Sequence, residues 1–207
     1  MMKLRYHPIS PFVRKVMVTA LETGLAGRIE KIPSSVLPTK PNEDVARENP
    51  LVKVPALTTD DGMALYDSPV ICEYLDSLHG VAKLFPTPGP QRWVALRQQA
   101  LADGILEAAI LGRYEALRPK ELQWPDWTEG QMRKVRGGIA ALEVETGQGL
   151  LRGPLTIGQI SIGCALGYLD FRYTNLNWRN TAPGLGRWYA DFAGRPSMRQ
   201  TVPQEPK

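Results

Sequence analysis

The sequence predicts an α/β region followed by an all-helical one, and three observations carry that prediction. From Lys3 to about Gly80, short strand-like pieces alternate with helical ones. A Pro/Gly cluster, Phe85-Pro86-Thr87-Pro88-Gly89-Pro90, then interrupts the chain, and beyond it only helical periods occur. Residues 1–80 are therefore expected to form a first domain, 81–90 a linker and 91–207 a helical domain. At 207 residues, with 43% apolar and 22% charged side chains, the chain is long enough for a real core and has the composition of a folded protein.

In the first region, Lys3-Leu4-Arg5-Tyr6 reads as a strand. Ser10-Pro11 then offers a helix N-cap followed by a proline at the first helical position. Val13, Val16, Met17, Ala20 and Leu21 fall on one helical face, and Gly24 is placed to end that helix. Ile29 to Ile32 reads as a second strand. Ala56-Leu57-Thr58-Thr59 and Met63-Ala64-Leu65-Tyr66 flank Asp60-Asp61-Gly62, a hairpin signal. A helix is expected from Asp67-Ser68-Pro69, with Ile71, Tyr74, Leu75 and Leu78 on one stripe. The order βαβ then ββα implies a mixed sheet with helices packed on it.

The second region reads as helices only. One is expected from Arg92 to Arg118, ending against Pro119, and another from Thr128, with Gln131 three residues on. Thr156 and Gln159 form a fuller capping-box pattern, with Leu155 and Ile160 as its hydrophobic staple. A last long helix is expected over 185–192, stopping at Gly194.

Charge and cysteine content exclude several functions. Residues 1–80 hold 9 Lys/Arg against 10 Asp/Glu, and residues 81–207 hold 16 against 11. The basic excess is spread out, with no block longer than Arg133-Lys134-Val135-Arg136, so a solvated helix face is expected and no nucleic-acid partner. Two cysteines, Cys72 and Cys164, cannot build a disulfide framework, and two scattered histidines, His7 and His79, provide no metal site. The uncharged run 153–169 is too short to span a membrane, and the N-terminus lacks a secretory apolar stretch. A reducing, cytoplasmic setting is expected. Gly147-Gln148-Gly149 does not continue into a dinucleotide fingerprint, and no phosphate loop or Gly-x-Ser-x-Gly elbow occurs.

Three short segments can carry chemistry. Ser10 heads a helix, where the backbone dipole and unpaired N–H groups favour an anion such as a thiolate. Asp67-Ser68 heads a second helix and offers the same to a carboxylate. Between them Val54-Pro55 opens a strand; taken alone it is expected to be a trans edge-strand start, since only about 5–6% of X-Pro bonds in folded proteins are cis. Each reads, by itself, as ordinary helix or strand punctuation.

Together, Ser10-Pro11-Phe12, the run from Asn49 through Lys53-Val54-Pro55 to Leu57, and Leu65-Tyr66-Asp67-Ser68-Pro69-Val70-Ile71 resemble the N-terminal domain of the glutathione transferase superfamily, in a bacterial-like, serine-type form. The second region resembles that family's helical domain, including the cap from Thr156 to Gln159 and the ending Phe192-Ala193-Gly194-Arg195-Pro196-Ser197. The resemblance implies a thioredoxin-like N-terminal domain, an all-α C-terminal domain, glutathione bound between them as co-substrate, no metal, and a homodimer. It implies a cis Pro55, Val54 backbone groups paired with the cysteinyl part of glutathione, Asp67 and Ser68 on its γ-glutamyl end, Lys53 on its glycyl carboxylate, and Ser10 as the catalytic hydroxyl beside the thiolate.

The implied reaction is attack of the glutathione thiolate on a small hydrophobic electrophile held in the helical domain. Other readings within the same resemblance are a glutathione-dependent peroxidase or disulfide reductase, and a partner-binding member without catalysis. Pro11, Phe12, Tyr114, Trp124, Trp127 and Trp178 are aromatic or apolar candidates for the electrophile pocket. Asp103 is a candidate for reaching a neighbouring subunit. Val52 stands where many relatives have glycine, Gln159 replaces the usual Asp of the helical-domain cap, and no cysteine occurs in Ile9-Ser10-Pro11-Phe12, which disfavours a protein-thiol mechanism.

Overall fold

The computed structural model describes residues 1–205. The chain divides into two compact units, Met1–Arg92 together with the segment from Pro196 onward, and Trp93–Arg195. The first unit takes in residues 81–92 and 196–205 as well as 1–80. Residues after Pro196 belong to the first unit, because their short helix docks on that unit's first helix and not within the helical region.

In the first unit, β1 (Met2–Tyr6) is followed by α1 (Pro11–Glu22), β2 (Ile29–Pro33), the short α2 (Glu43–Ala46), β3 (Leu57–Thr58), β4 (Ala64–Leu65) and α3 (Ser68–Ser77). The sheet order is β2-β1-β3-β4, with β1 and β2 parallel and the β1–β3 and β3–β4 pairs antiparallel. This is the mixed four-stranded sheet that the βαβ-ββα order predicts. α1 ends where expected: Thr23 caps it, and Gly24 follows at φ +72°, a left-handed turn open to glycine. α1 and α3 pack on each other and bury Val13, Val16, Ala20, Ile71, Cys72 and Leu75 with Met2 and Leu4 of β1 and Leu57 of β3. α2 had no sequence signal beyond Asn42, whose side chain accepts from the N–H groups of Asp44 and Val45.

The first unit is completed by α8 (Pro196–Gln200) lying on α1. The Ser197 hydroxyl donates to Glu22 at 2.5 Å, and Arg14 Nη2 donates to the Met198 carbonyl at 3.1 Å, so the two ends of α1 each hold the segment.

The second unit contains α4 (Pro90–Ala116, from Trp93 on), α5 (Pro125–Gly147), α6 (Ile157–Arg172) and α7 (Pro183–Ala193). α6 is its centre, with Ile157, Ile160, Ile162, Leu166 and Leu169 fully buried. At Gly158 a side chain would meet the Ala95 carbonyl at 2.9 Å, so glycine lets the start of α6 approach α4 closely. α5 begins three residues before the expected Thr128. Pro125 occupies its first turn, and the Thr128 hydroxyl instead lies near the Trp124 carbonyl at 3.5 Å, so the proline start overrides the capping pattern. α7 has no side-chain cap of its own; Glu143 of α5 accepts from the Gly184 and Leu185 N–H groups at 2.9 and 2.6 Å. Among the described residues no helix is long and apolar enough to cross a membrane.

Candidate functional site

The sheet topology gathers three sequence segments at one edge. β1 and β4 both run antiparallel to β3, so the C-terminal ends of β1 and β4 flank the N-terminal end of β3. The ladder extends past the strand ends, since the Arg5 N–H donates to the Ala56 carbonyl at 2.8 Å. Continuing the registers Leu4↔Leu57 and Leu57↔Leu65 places Pro55 opposite Tyr6 on one side and Asp67 on the other. Ser10 follows β1 by a tight turn in which its N–H donates to the His7 carbonyl at 3.1 Å. The segments of Ser10, Val54-Pro55 and Asp67-Ser68 thus meet at the same end of the first unit's sheet.

Ser10 is the N-cap of α1, and its oxygen accepts from the Val13 N–H at 3.3 Å. Its hydroxyl proton is donated to no group among the described residues, and neither is the Phe12 N–H in the first turn. Ser10 can therefore cap and still donate outward. The Val54–Pro55 peptide is cis, as the family resemblance implies, and the Val54 N–H and carbonyl make no hydrogen bond among the described residues. A residue with both backbone groups open can accept a short β-ladder from a peptide-like ligand.

At α3, Asp67 is the N-cap and its carboxylate accepts from the Ser68 N–H. Asp67 itself is exposed, whereas Ser68 is completely buried and its hydroxyl has no hydrogen-bond partner. A buried hydroxyl without a partner is costly in a folded protein and calls for an acceptor from outside. The Val70 N–H, one turn into the helix, also makes no hydrogen bond among the described residues, so this helix start offers a donor for a carboxylate.

Lys53 is exposed on the loop that leads into Val54. Asn49, which the sequence reading assigned no role, organises that loop. It is buried; its Oδ1 accepts from the Leu51 N–H and its Nδ2 donates to the Lys53 carbonyl, both at 3.0 Å, while its own carbonyl accepts from the Val52 N–H at 2.9 Å. Three bonds from one residue hold Val52 at φ +51°, a left-handed conformation that a β-branched side chain resists. That conformation is the physical meaning of the Val52 departure. An Asn placed four residues before the Lys53 carbonyl it ties down was the available signal, but the turn it builds becomes visible only in three dimensions.

The remaining candidates have other surroundings. Asp103 lies half-buried on α4 and Tyr114 near that helix's end. Trp178 is a core residue, donating from Nε1 to Asp170 at 2.9 Å, packed edge-on against Tyr189 and covered by the Arg179 guanidinium. Trp124 and Trp127 are exposed, Phe12 is half-buried and Pro11 buried. Both cysteines are buried, Cys72 accepting from the Thr19 hydroxyl at 3.4 Å. Among the described residues no cluster of His, Cys, Asp and Glu could hold a metal.

Comparison with known proteins identifies the family of the chain. Residues 9–78 match the model of the glutathione S-transferase N-terminal domain and residues 125–191 that of the C-terminal domain. The chain is 34% identical over 203 residues, 98% of each chain, to the uncharacterized GST-like protein YibF of Escherichia coli K12. A glutathione transferase family member from Pseudomonas fluorescens Pf-5, solved with bound glutathione, is 45% identical and superposes with a TM-score of 0.95 over 99% of this chain and 100% of its own. A glutathione S-transferase from Methylobacillus flagellatus KT, solved with glutathione bound, is 38% identical with a TM-score of 0.88, covering 99% and 100% of the two chains. A sheet of this topology joined to a helical unit defines a glutathione transferase architecture. The chain belongs to the glutathione transferase superfamily.

Proposed function

We propose that this protein binds glutathione at the sheet edge of its first unit and activates its thiol for attack on a small hydrophobic electrophile, as a serine-type, cytoplasmic, homodimeric glutathione S-transferase. The observation that carries this reading is the buried, partnerless hydroxyl of Ser68 at the start of α3, on the same sheet edge as the open Val54 backbone and the outward donor of Ser10. Glutathione bound to the Pseudomonas and Methylobacillus relatives supports it.

In this reading Ser68 and the Val70 N–H take the γ-glutamyl carboxylate, with Asp67 beside the γ-glutamyl amine. Val54 pairs its N–H and carbonyl with the cysteinyl residue against Pro55, and Lys53 meets the glycyl carboxylate. Ser10 donates its hydroxyl proton in a hydrogen bond to the sulfur and favours its ionised form. The thiol proton passes to solvent. The sulfur lone pair then forms a bond to an electrophilic carbon, and the displaced electron pair leaves with the departing group or, in an addition, is neutralised by a proton from water.

Lowering a thiol pKa from about 8.5 by about two units raises the thiolate fraction at pH 7 roughly 25-fold. Reduced nucleophilicity takes back a factor of roughly 6–10, so ionisation alone contributes about three- to fourfold. Most acceleration therefore comes from excluding water and positioning the electrophile, which the helical unit supplies in this reading.

Calorimetric titration with glutathione tests the site. Wild type binds, and Ser68→Ala binds at least about tenfold more weakly, the worth of a hydrogen bond to a charged group. Equal binding by the two proteins removes the γ-glutamyl placement. Absence of binding to wild type removes the enzymatic reading and favours a partner-binding member of the fold. Conjugation and peroxide turnover measured side by side then separate transfer from peroxidase or disulfide-reductase activity.

A further inference from the structure

A small cavity in the first unit is not accounted for by glutathione. It is lined by Tyr6 and His7 at the end of β1, Arg14 of α1, Lys31 of β2, and Gln200 and Thr201 at the end of α8, with apolar groups between them. Arg14 is buried, with 6% of its surface exposed. Two of its three guanidinium nitrogens have neutral partners, Nη2 on the Met198 carbonyl at 3.1 Å and Nε on the Thr201 hydroxyl at 3.4 Å. The third, Nη1, is buried without any partner. Among the described residues no carboxylate pairs with Arg14, and none lines the cavity.

We propose that this cavity binds a single halide ion, chloride in ordinary solution, with Arg14 as its principal partner. A buried guanidinium left without a counter-charge is strongly disfavoured, and proteins rarely leave one so. The other polar groups of the lining suit an anion. Lys31 brings a second positive charge, its ammonium 5.0 Å over the Tyr6 ring. Burial pushes the Tyr6 phenol above its ordinary pKa, which keeps it a protonated donor at neutral pH. The Gln200 amide adds a neutral donor. The cavity is small, about 20 Å³, and a monatomic halide is the smallest anion that can occupy it beside Arg14. Water fits but brings no charge, whereas a monatomic anion brings both size and charge.

The bound ion would tie together β1, α1, β2 and the end of α8, so its signature is halide-dependent stability. None of Ser10, Val54 and Ser68 lines the cavity, and failure of the halide reading would leave the glutathione reading untouched. Thermal unfolding of the full chain is compared in sodium chloride, sodium bromide and sodium gluconate at equal ionic strength, so that screening is the same throughout. At halide about tenfold above Kd, chloride and bromide raise Tm by about 3–6 °C over gluconate. Arg14→Met, which keeps the aliphatic stem, loses that increment.

Should Arg14→Met fail to fold, Lys31→Gln at the exposed wall gives the second reading, a halide increment reduced by half or more. Crystals of wild type grown in bromide require no variant and show an anomalous peak beside Arg14 Nη1. Equal Tm in all three salts overturns the proposal, as does bromide density lying elsewhere. A peak in the cavity without any Tm increment also overturns it, as binding at crystal concentration only.

Discussion

At the start of α6, in the helical unit, Gln159 is used at both ends. Its Oε1 accepts from the Thr156 N–H at 2.8 Å and its Nε2 donates to the Leu151 carbonyl at 2.9 Å, while Thr156 caps the third backbone N–H. At the start of α3, in the other unit, Asp67 takes the Ser68 N–H but the buried Ser68 hydroxyl meets nothing. Both are hydroxyl-bearing helix starts of a kind that sequence rules describe alike. One is closed by its own side chains and stabilises the fold, whereas the other leaves a buried donor without a partner among the described residues. Local sequence locates such a terminus, and its tertiary surroundings decide whether it is a structural joint or a binding site.

That contrast can be broken most directly at Ser68. Ser68→Ala is expected to lower glutathione affinity by about 10- to 100-fold while thermal stability stays level or rises, because the change deletes a buried hydroxyl that has no partner. Calorimetry and a melting curve on the same sample read both, and a destabilised variant with full affinity would reverse the two roles. Gln159→Ala is expected to do the opposite. It should cost about 1–2 kcal/mol in denaturant unfolding, having lost two bonds, and leave glutathione affinity unchanged.

Ser10 sharpens the comparison because it combines the two states, capping Val13 while its proton remains available. Ser10→Ala should cost about 1 kcal/mol as a lost cap. It should also raise the apparent pKa of the bound thiol, followed by thiolate absorbance, and lower turnover about three- to fourfold where ionisation limits the rate. Unchanged turnover and pKa would leave Ser10 a cap only.

The smallest effect is expected at Val52. Val52→Gly relieves a left-handed β-branched residue, worth about 1–2 kcal/mol, against about 0.4–1 kcal/mol of added freedom in the unfolded chain. A net gain of roughly 0.5–1 kcal/mol should appear in equilibrium unfolding. A loss would show that Asn49 does not hold this turn in the way its three bonds indicate.

Much of the fold was legible because its signals are local. Ser10-Pro11 with Gly24, the Asp60-Asp61-Gly62 turn and the Thr156–Gln159 cap each produce a named feature at the expected place. What escaped depends on distant partners. The four-residue α2 is too short for a hydrophobic period, and α5 starts at Pro125 because a proline in the first turn outweighs a threonine three residues on. The candidate residues Ser10, Val54-Pro55 and Asp67-Ser68 form a set only through the family resemblance, since each is separately ordinary. The partnerless state of Ser68 and Arg14 had no sequence signal, because it is defined by what does not lie next to each side chain after folding.

The return of the chain to α1 through Arg14 and Glu22 bears on how the molecule is made. Residues 1–92 leave the ribosome roughly 100 residues before Pro196 does, an interval of about 5–20 s at ordinary elongation rates. Through that interval the face of α1 that later carries α8 is bare, and chaperone occupancy of nascent chains should concentrate there until the final clasp closes.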